Sequence, residues 1–100
     1  MNSQQRSQAL NLLAAVRLLL LRPGNNFFWT EWSGPEQAVE EIDRICNLVE
    51  ADHAQALERL TLLFAPTVSL QDVSIDSGWS SEYMDLASRF DHLRAEVGDG

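Results

Sequence analysis

Phe27, Phe28, Trp29 and Trp32 crowd into six consecutive positions with Glu31 among them, and they are half of the chain's aromatic residues. The stretch lies between two apolar segments of helical periodicity and reads as a connection. Connections in small domains are normally polar, because apolar surface left in water is unfavourable at roughly 25 cal/mol per Å². Three chemistries fit the cluster. Trp29, Glu31 and Trp32 can wall a cage for a cationic group, with the carboxylate as its acidic side. The same tryptophans can anchor a protein interface, where such residues concentrate binding energy. They can also close the open end of a bundle as a lid.

Other chemistry-bearing residues are sparse. The run from Asp72 places Asp72, Ser74 and Asp76 at calcium-loop positions 1, 3 and 5. Ser77 then occupies the place of the loop's glycine and Tyr83 that of its bidentate glutamate, so helix capping and Asx-type turns account for these residues better. His53 and His92 share no metal-ligand spacing with Cys46. Cys46 falls on an apolar helical face, where an inert thiol is expected. No phosphate-binding glycine loop, nucleophile elbow or basic stripe is present. Catalytic residues, cofactors and metals are therefore not expected.

One hundred residues suit a single domain, and a composition 45% hydrophobic and 22% charged is globular. Acidic residues outnumber basic ones 15 to 7, for a net charge of −8, and every basic residue is Arg. Such a surface repels phosphate backbones and anionic lipid, which argues against nucleic acid or a membrane as partner and for a basic protein. A lone cysteine fits a reducing cytoplasm. The apolar stretch of about 13 residues from Ala9 to Leu21 is interrupted by Arg17, lacks a following cleavage site and is too short to span a bilayer.

The elements that position these residues are helices. The first is expected from about Gln4 to Arg22, stopped by Pro23 and Gly24. Its polar residues Gln4, Gln8, Asn11 and Arg22 share one narrow stripe, and Leu18 interrupts that stripe. So apolar a helix belongs at the centre of a bundle. The second starts at Ser33-Gly34-Pro35-Glu36, with Ser33 as cap and Glu36 answering it. Ala38, Ile42, Ile45 and Val49 make its inner face. Asp52 and Gln55 have capping spacing, which predicts a break and a third helix ending before Pro66. Thr67 to Gly78 reads as a loop with at most one helical turn from Leu70, since Ser69 and Asp72 also have capping spacing. The last helix is expected from Ser80 to about Val97.

The fold class is thus all-α, a compact bundle of about four main helices in one domain spanning residues 1–100. Its expected core is Leu12, Leu13, Val16, Leu20, Ile42, Ile45, Val49, Leu57, Leu60, Phe64, Tyr83, Leu86, Phe90 and Leu93.

The run Leu63-Phe64-Ala65-Pro66-Thr67-Val68-Ser69-Leu70-Gln71-Asp72, followed by Gly78-Trp79 and preceded by Trp29-x-x-Trp32, resembles a pattern in small bacterial helical proteins, most of them uncharacterised. Some of these occur among toxin-immunity genes. The resemblance covers about the middle half of the chain. It implies a bacterial origin and an inhibitor or immunity role, and it transfers no catalytic residue.

The expected function is a non-enzymatic protein-binding module with an acidic face. Phe28, Trp29, Glu31, Trp32, Leu18, Asp76 and Trp79 are the candidate contact residues. The alternative is a small-ligand binder or enzyme with an aromatic-lined pocket near Trp29 and Trp32, using Glu31 or Asp76 as its polar group. A homodimer through the first helix at Leu18 is a further expectation.

Overall fold

The computed structural model describes residues 1–27, 30–65 and 69–99. They form five α-helices: α1 (Ser3–Leu20), α2 (Pro35–Glu50), α3 (Ala56–Leu63), α4 (Ser69–Ser77) and α5 (Ser80–Asp99). No strand occurs among the described residues. The all-α class is as the periodicities predict. A fifth helix, α4, stands where a loop with one turn was expected.

Packing runs outward from α1. It lies between α2 and α5, while α3 flanks α2 and α4 flanks α5. α1 takes the centre because it is apolar on most of its circumference: Ala9, Leu12, Leu13, Val16, Leu19 and Leu20 are all buried. Asn2 caps its start, its side chain accepting from the Gln5 amide at 2.8 Å while Gln5 accepts in return from the Asn2 amide at 2.9 Å. Arg6 near the start of α1 reaches Asp52 beyond the end of α2, and Arg22 beyond its other end reaches Glu82 at the start of α5. α1 therefore runs antiparallel to both neighbours.

Thirteen of the fourteen expected core residues are buried. Leu57 is the exception, half-buried at the edge of α3. That helix has eight residues, and its inner side is taken by Ala56, Leu60 and Leu63. The far side of the core is closed by Phe64 stacked on Phe90, with ring centroids 5.0 Å apart. The Tyr83 hydroxyl, on α5, donates to the Phe64 carbonyl at 3.2 Å and so satisfies the frayed end of α3.

Three capping expectations differ from the structure. Gly34, not Ser33, is the N-cap of α2, and it makes no side-chain cap bond. The Ser33 amide instead donates to the Gln37 side chain at 2.6 Å, one residue beyond the expected Glu36. Asp52 does not start α3; it ends α2, with φ 51° in the left-handed region. The His53 amide donates to the Leu48 carbonyl at 2.9 Å and the Asp52 amide to Val49 at 3.0 Å, a Schellman closure in which Asp stands where Gly is commoner. The Asp52 carboxylate accepts from the Met1 amino group at 3.3 Å and faces Arg6. Ser69 lies inside α4 and is buried; its hydroxyl accepts from the Glu31 amide at 3.2 Å.

Candidate functional site

The connection between α1 and α2 is fastened at several points. Asn25 donates through its side-chain amide to the carbonyls of Leu19 and Leu20, at 2.8 and 3.0 Å, and Leu19 also accepts from the Arg22 amide at 3.2 Å, so the last turn of α1 is closed from two sides. The Asn26 amide donates to the Ser77 hydroxyl at 2.8 Å. The Thr30 hydroxyl donates to the Phe27 carbonyl at 2.9 Å, and Phe27 packs partly buried against the core. These bonds tie Asn25 to the end of α1 and Asn26 to α4.

Trp32 is 4% exposed and belongs to the core cluster. Its indole N–H donates to Glu41 on α2 at 2.5 Å, a charge-assisted bond that satisfies a donor otherwise costly to bury. Trp79 is 2% exposed, and its indole N–H donates to the Asn25 side-chain oxygen at 2.8 Å. Both side chains support the surface from beneath and offer little area of their own. Phe28 and Trp29 lie outside the described residues. Glu31 and Asp76 are exposed, Asp76 on α4. The residues of the calcium-loop comparison are carried on α4 and α5, and α4 spans Ser69–Ser77 as a helix.

Beside Trp32, a cleft of about 320 Å³ is lined by Glu31, Glu41, Arg59, Ile45 and Leu70 among others. It brings together Glu31 and Trp32 of the expected set and adds Glu41 of α2 and Arg59 of α3, neither of them among the expected contact residues. Asp76 and Trp79 do not line it.

Two surfaces stand apart from this cleft. Along α2, Glu36, Glu40, Asp43 and Glu50 follow one another at steps of four, three and seven, which places them on one side of the helix, and all four are exposed. Arg17 on α1 approaches that row, its guanidinium 3.3 Å from Asp43. On the other side of α1, Leu18 is 69% exposed at the rim of a groove of about 520 Å³ between α1 and α5. Its outward position agrees with the angle that sets it among the polar residues of the helix.

Cys46 is half-buried on α2. Burial raises its thiol above the ordinary value of 9.0, Asp43 and Glu50 push it further up, and Arg17 opposes them. The thiolate is disfavoured, so the side chain is a poor nucleophile. No three His, Cys, Asp or Glu side chains among the described residues gather so as to hold a metal ion. Nor is any helix among them long and apolar enough to cross a membrane. Comparison of the chain with protein-family models, curated proteins and solved structures finds no match.

Proposed function

We propose that this chain is a non-enzymatic protein-binding module of the cytoplasm that presents an acidic face to a basic protein, as an immunity-type inhibitor would. The observation that carries the reading is the row Glu36, Glu40, Asp43 and Glu50 on α2. The opposite side of the same helix, Ala38, Ile42, Ile45 and Val49, is buried, so the row is held on a firm support. With a net charge of −8 behind it, such a face speeds the encounter with a basic partner and makes association sensitive to salt. The same charge disfavours nucleic acid and anionic lipid.

The test is a pull-down from the native host at low and high salt, using the native chain and the variant Glu36→Gln, Glu40→Gln, Asp43→Asn, Glu50→Gln. A partner is expected at low salt and not at high salt. The variant should bind it about tenfold more weakly or worse, since rim charges act mainly on association rate. Each exposed substitution of this kind changes stability by about 0.5 kcal/mol, a little more at Asp43, which pairs with Arg17, so the helical circular dichroism should be retained. Recovery of no partner at low salt sinks the proposal.

The cleft beside Trp32 favours a second reading, a small-ligand site or enzyme in which Glu31 or Glu41 holds a polar group of the ligand. The variant Glu31→Gln, Glu41→Gln separates the two, since a glutamine at 41 still accepts the Trp32 indole N–H. Partner binding that survives it leaves the α2 row in charge; a function lost only here moves the site to the cleft.

A further inference from the structure

α1 is the one helix of the five without an Asp or a Glu. Arg6 and Arg17 within it and Arg22 just beyond it are three of the chain's seven basic residues. A molecule of net charge −8 repels a copy of itself over most of its surface; over α1 the three arginines each offset an acid of a neighbouring helix or turn, Asp52, Asp43 and Glu82, so that repulsion is weaker there. The exposed side of α1 also carries the apolar surface a contact needs, with Leu18 69% and Leu21 49% exposed.

The groove beside Leu18 has two unlike banks. The α1 bank offers Ala15 and Leu18 and ends in Arg22; the α5 bank carries Glu82 and Asp85, with Leu86, almost wholly buried, at its base. One bank is basic, the other acidic, and the floor between them is apolar. A surface of this kind complements itself under a two-fold rotation, and only for one direction of the axis. An axis along the groove exchanges the banks and sets basic over acidic. An axis across the groove sets acidic over acidic.

We propose that this groove is the seam of a homodimer whose two-fold axis runs along it, an association independent of the acidic row on α2. Rotation about such an axis keeps every residue at its own height along the seam. Arg22 and Glu82 share a height, because they pair within one chain at 3.1 Å. Across the axis, Arg22 of each copy therefore stands over Glu82 of the other. The same operation brings Leu18 of each copy onto the apolar stretch of the other's groove. α1 then lies antiparallel to the second copy's α5, and the two pairs form a four-helix arrangement around a shared apolar strip. Leu18, on the outside of a single chain, is inside the pair.

Sedimentation velocity of the 100-residue chain tests this, and a dimer that dissociates on dilution is expected. Leu18→Glu places a charge at the apolar centre of the seam and should weaken association by about a hundredfold or more, with the helical circular dichroism retained. Arg22→Glu and Glu82→Arg should each weaken self-association, because each sets like charges across the seam. Mixing the two single variants in equal amounts should restore the dimer, since the mixed pair carries opposite charges at both contacts. A groove reserved for a small ligand or a foreign peptide gives a native chain that is monomeric at every concentration, and that result overturns the proposal. A dimer indifferent to Leu18→Glu, or a mixture that associates no better than its components, overturns it as well.

Discussion

Asn25 serves three partners at once, and its orientation is forced by them. The indole N–H of Trp79 can only donate and the carbonyls of Leu19 and Leu20 can only accept, so the amide oxygen must face the first and the amide nitrogen the others. Asn25→Ala leaves the Trp79 indole N–H buried without a partner and uncovers the end of α1. A loss of about 2–3 kcal/mol is expected in urea denaturation. Asn25→Asp should also destabilise, because a carboxylate keeps the acceptor, loses both donors and sets a negative charge against a helix C-terminus. If Asn25→Asp proves as stable as the native chain, the bonds to α1 contribute nothing. Trp32 and Glu41 form a second pairing of this kind at the other end of the connection. The sequence draws attention to the tryptophans and gives no sign of which polar residue answers each.

Among the elements, the boundaries divide into those closed by backbone geometry and those left open. Gly78, at φ 84°, ends α4 in a Schellman closure, with the Trp79 amide donating to the Ser74 carbonyl at 2.9 Å. A Cβ at Gly78 would meet nothing within 4 Å, so Gly78→Ala carries backbone strain alone. It should cost about 1–2 kcal/mol. Gly34 is the contrary case. It is extended, it caps α2 without a side-chain bond, and a Cβ there also meets nothing within 4 Å. Gly34→Ser supplies a cap acceptor and restrains the unfolded chain, and a gain of about 0.5–1 kcal/mol is expected. Denaturation midpoints of the two variants should move in opposite directions; a shift of the same sign in both contradicts the placement of the α2 cap or of the α4 closure.

The whole molecule has a simple titration in alkali, because the chain contains no lysine. Burial raises the Tyr83 phenol above its ordinary value of 10.0, with Asp91 adding to the effect, and burial first, then Asp43 and Glu50, raise the Cys46 thiol above 9.0. Each group holds its proton more tightly when folded than when unfolded. The stability this contributes is complete below the ordinary values and is lost as pH rises through the raised ones. Melting temperature should therefore be level near neutrality and fall as pH climbs past 9.0 and then 10.0. The double variant Cys46→Ala, Tyr83→Phe should begin less stable, lacking the bond to the Phe64 carbonyl, and show a flatter alkaline limb. An equally steep limb in that variant would assign the effect to general charge repulsion.

The helical class, the helix breaks and the inner faces of α1, α2 and α5, with that of α3 apart from Leu57, could be read from the sequence, because each rests on a local rule. Apolar residues at steps of three and four define a face, and Pro23-Gly24 ends a helix whatever lies nearby. The central place of α1 followed in the same way, from how little of its circumference is polar. α4 did not follow. Nine residues are too few for a helix to hold its own in water, and this one persists because Leu70 and Val73 are buried in the bundle. The fate of the tryptophans was equally out of local reach. A Trp in a connection can be buried only if some acceptor meets its N–H; here Glu41 is nine residues from Trp32 and Asn25 is fifty-four from Trp79. The candidate surfaces divide along the same line. The acidic row of α2 is a matter of spacing within one helix. The cleft beside Trp32 and the two-signed groove beside Leu18 exist only because tertiary packing sets distant helices side by side.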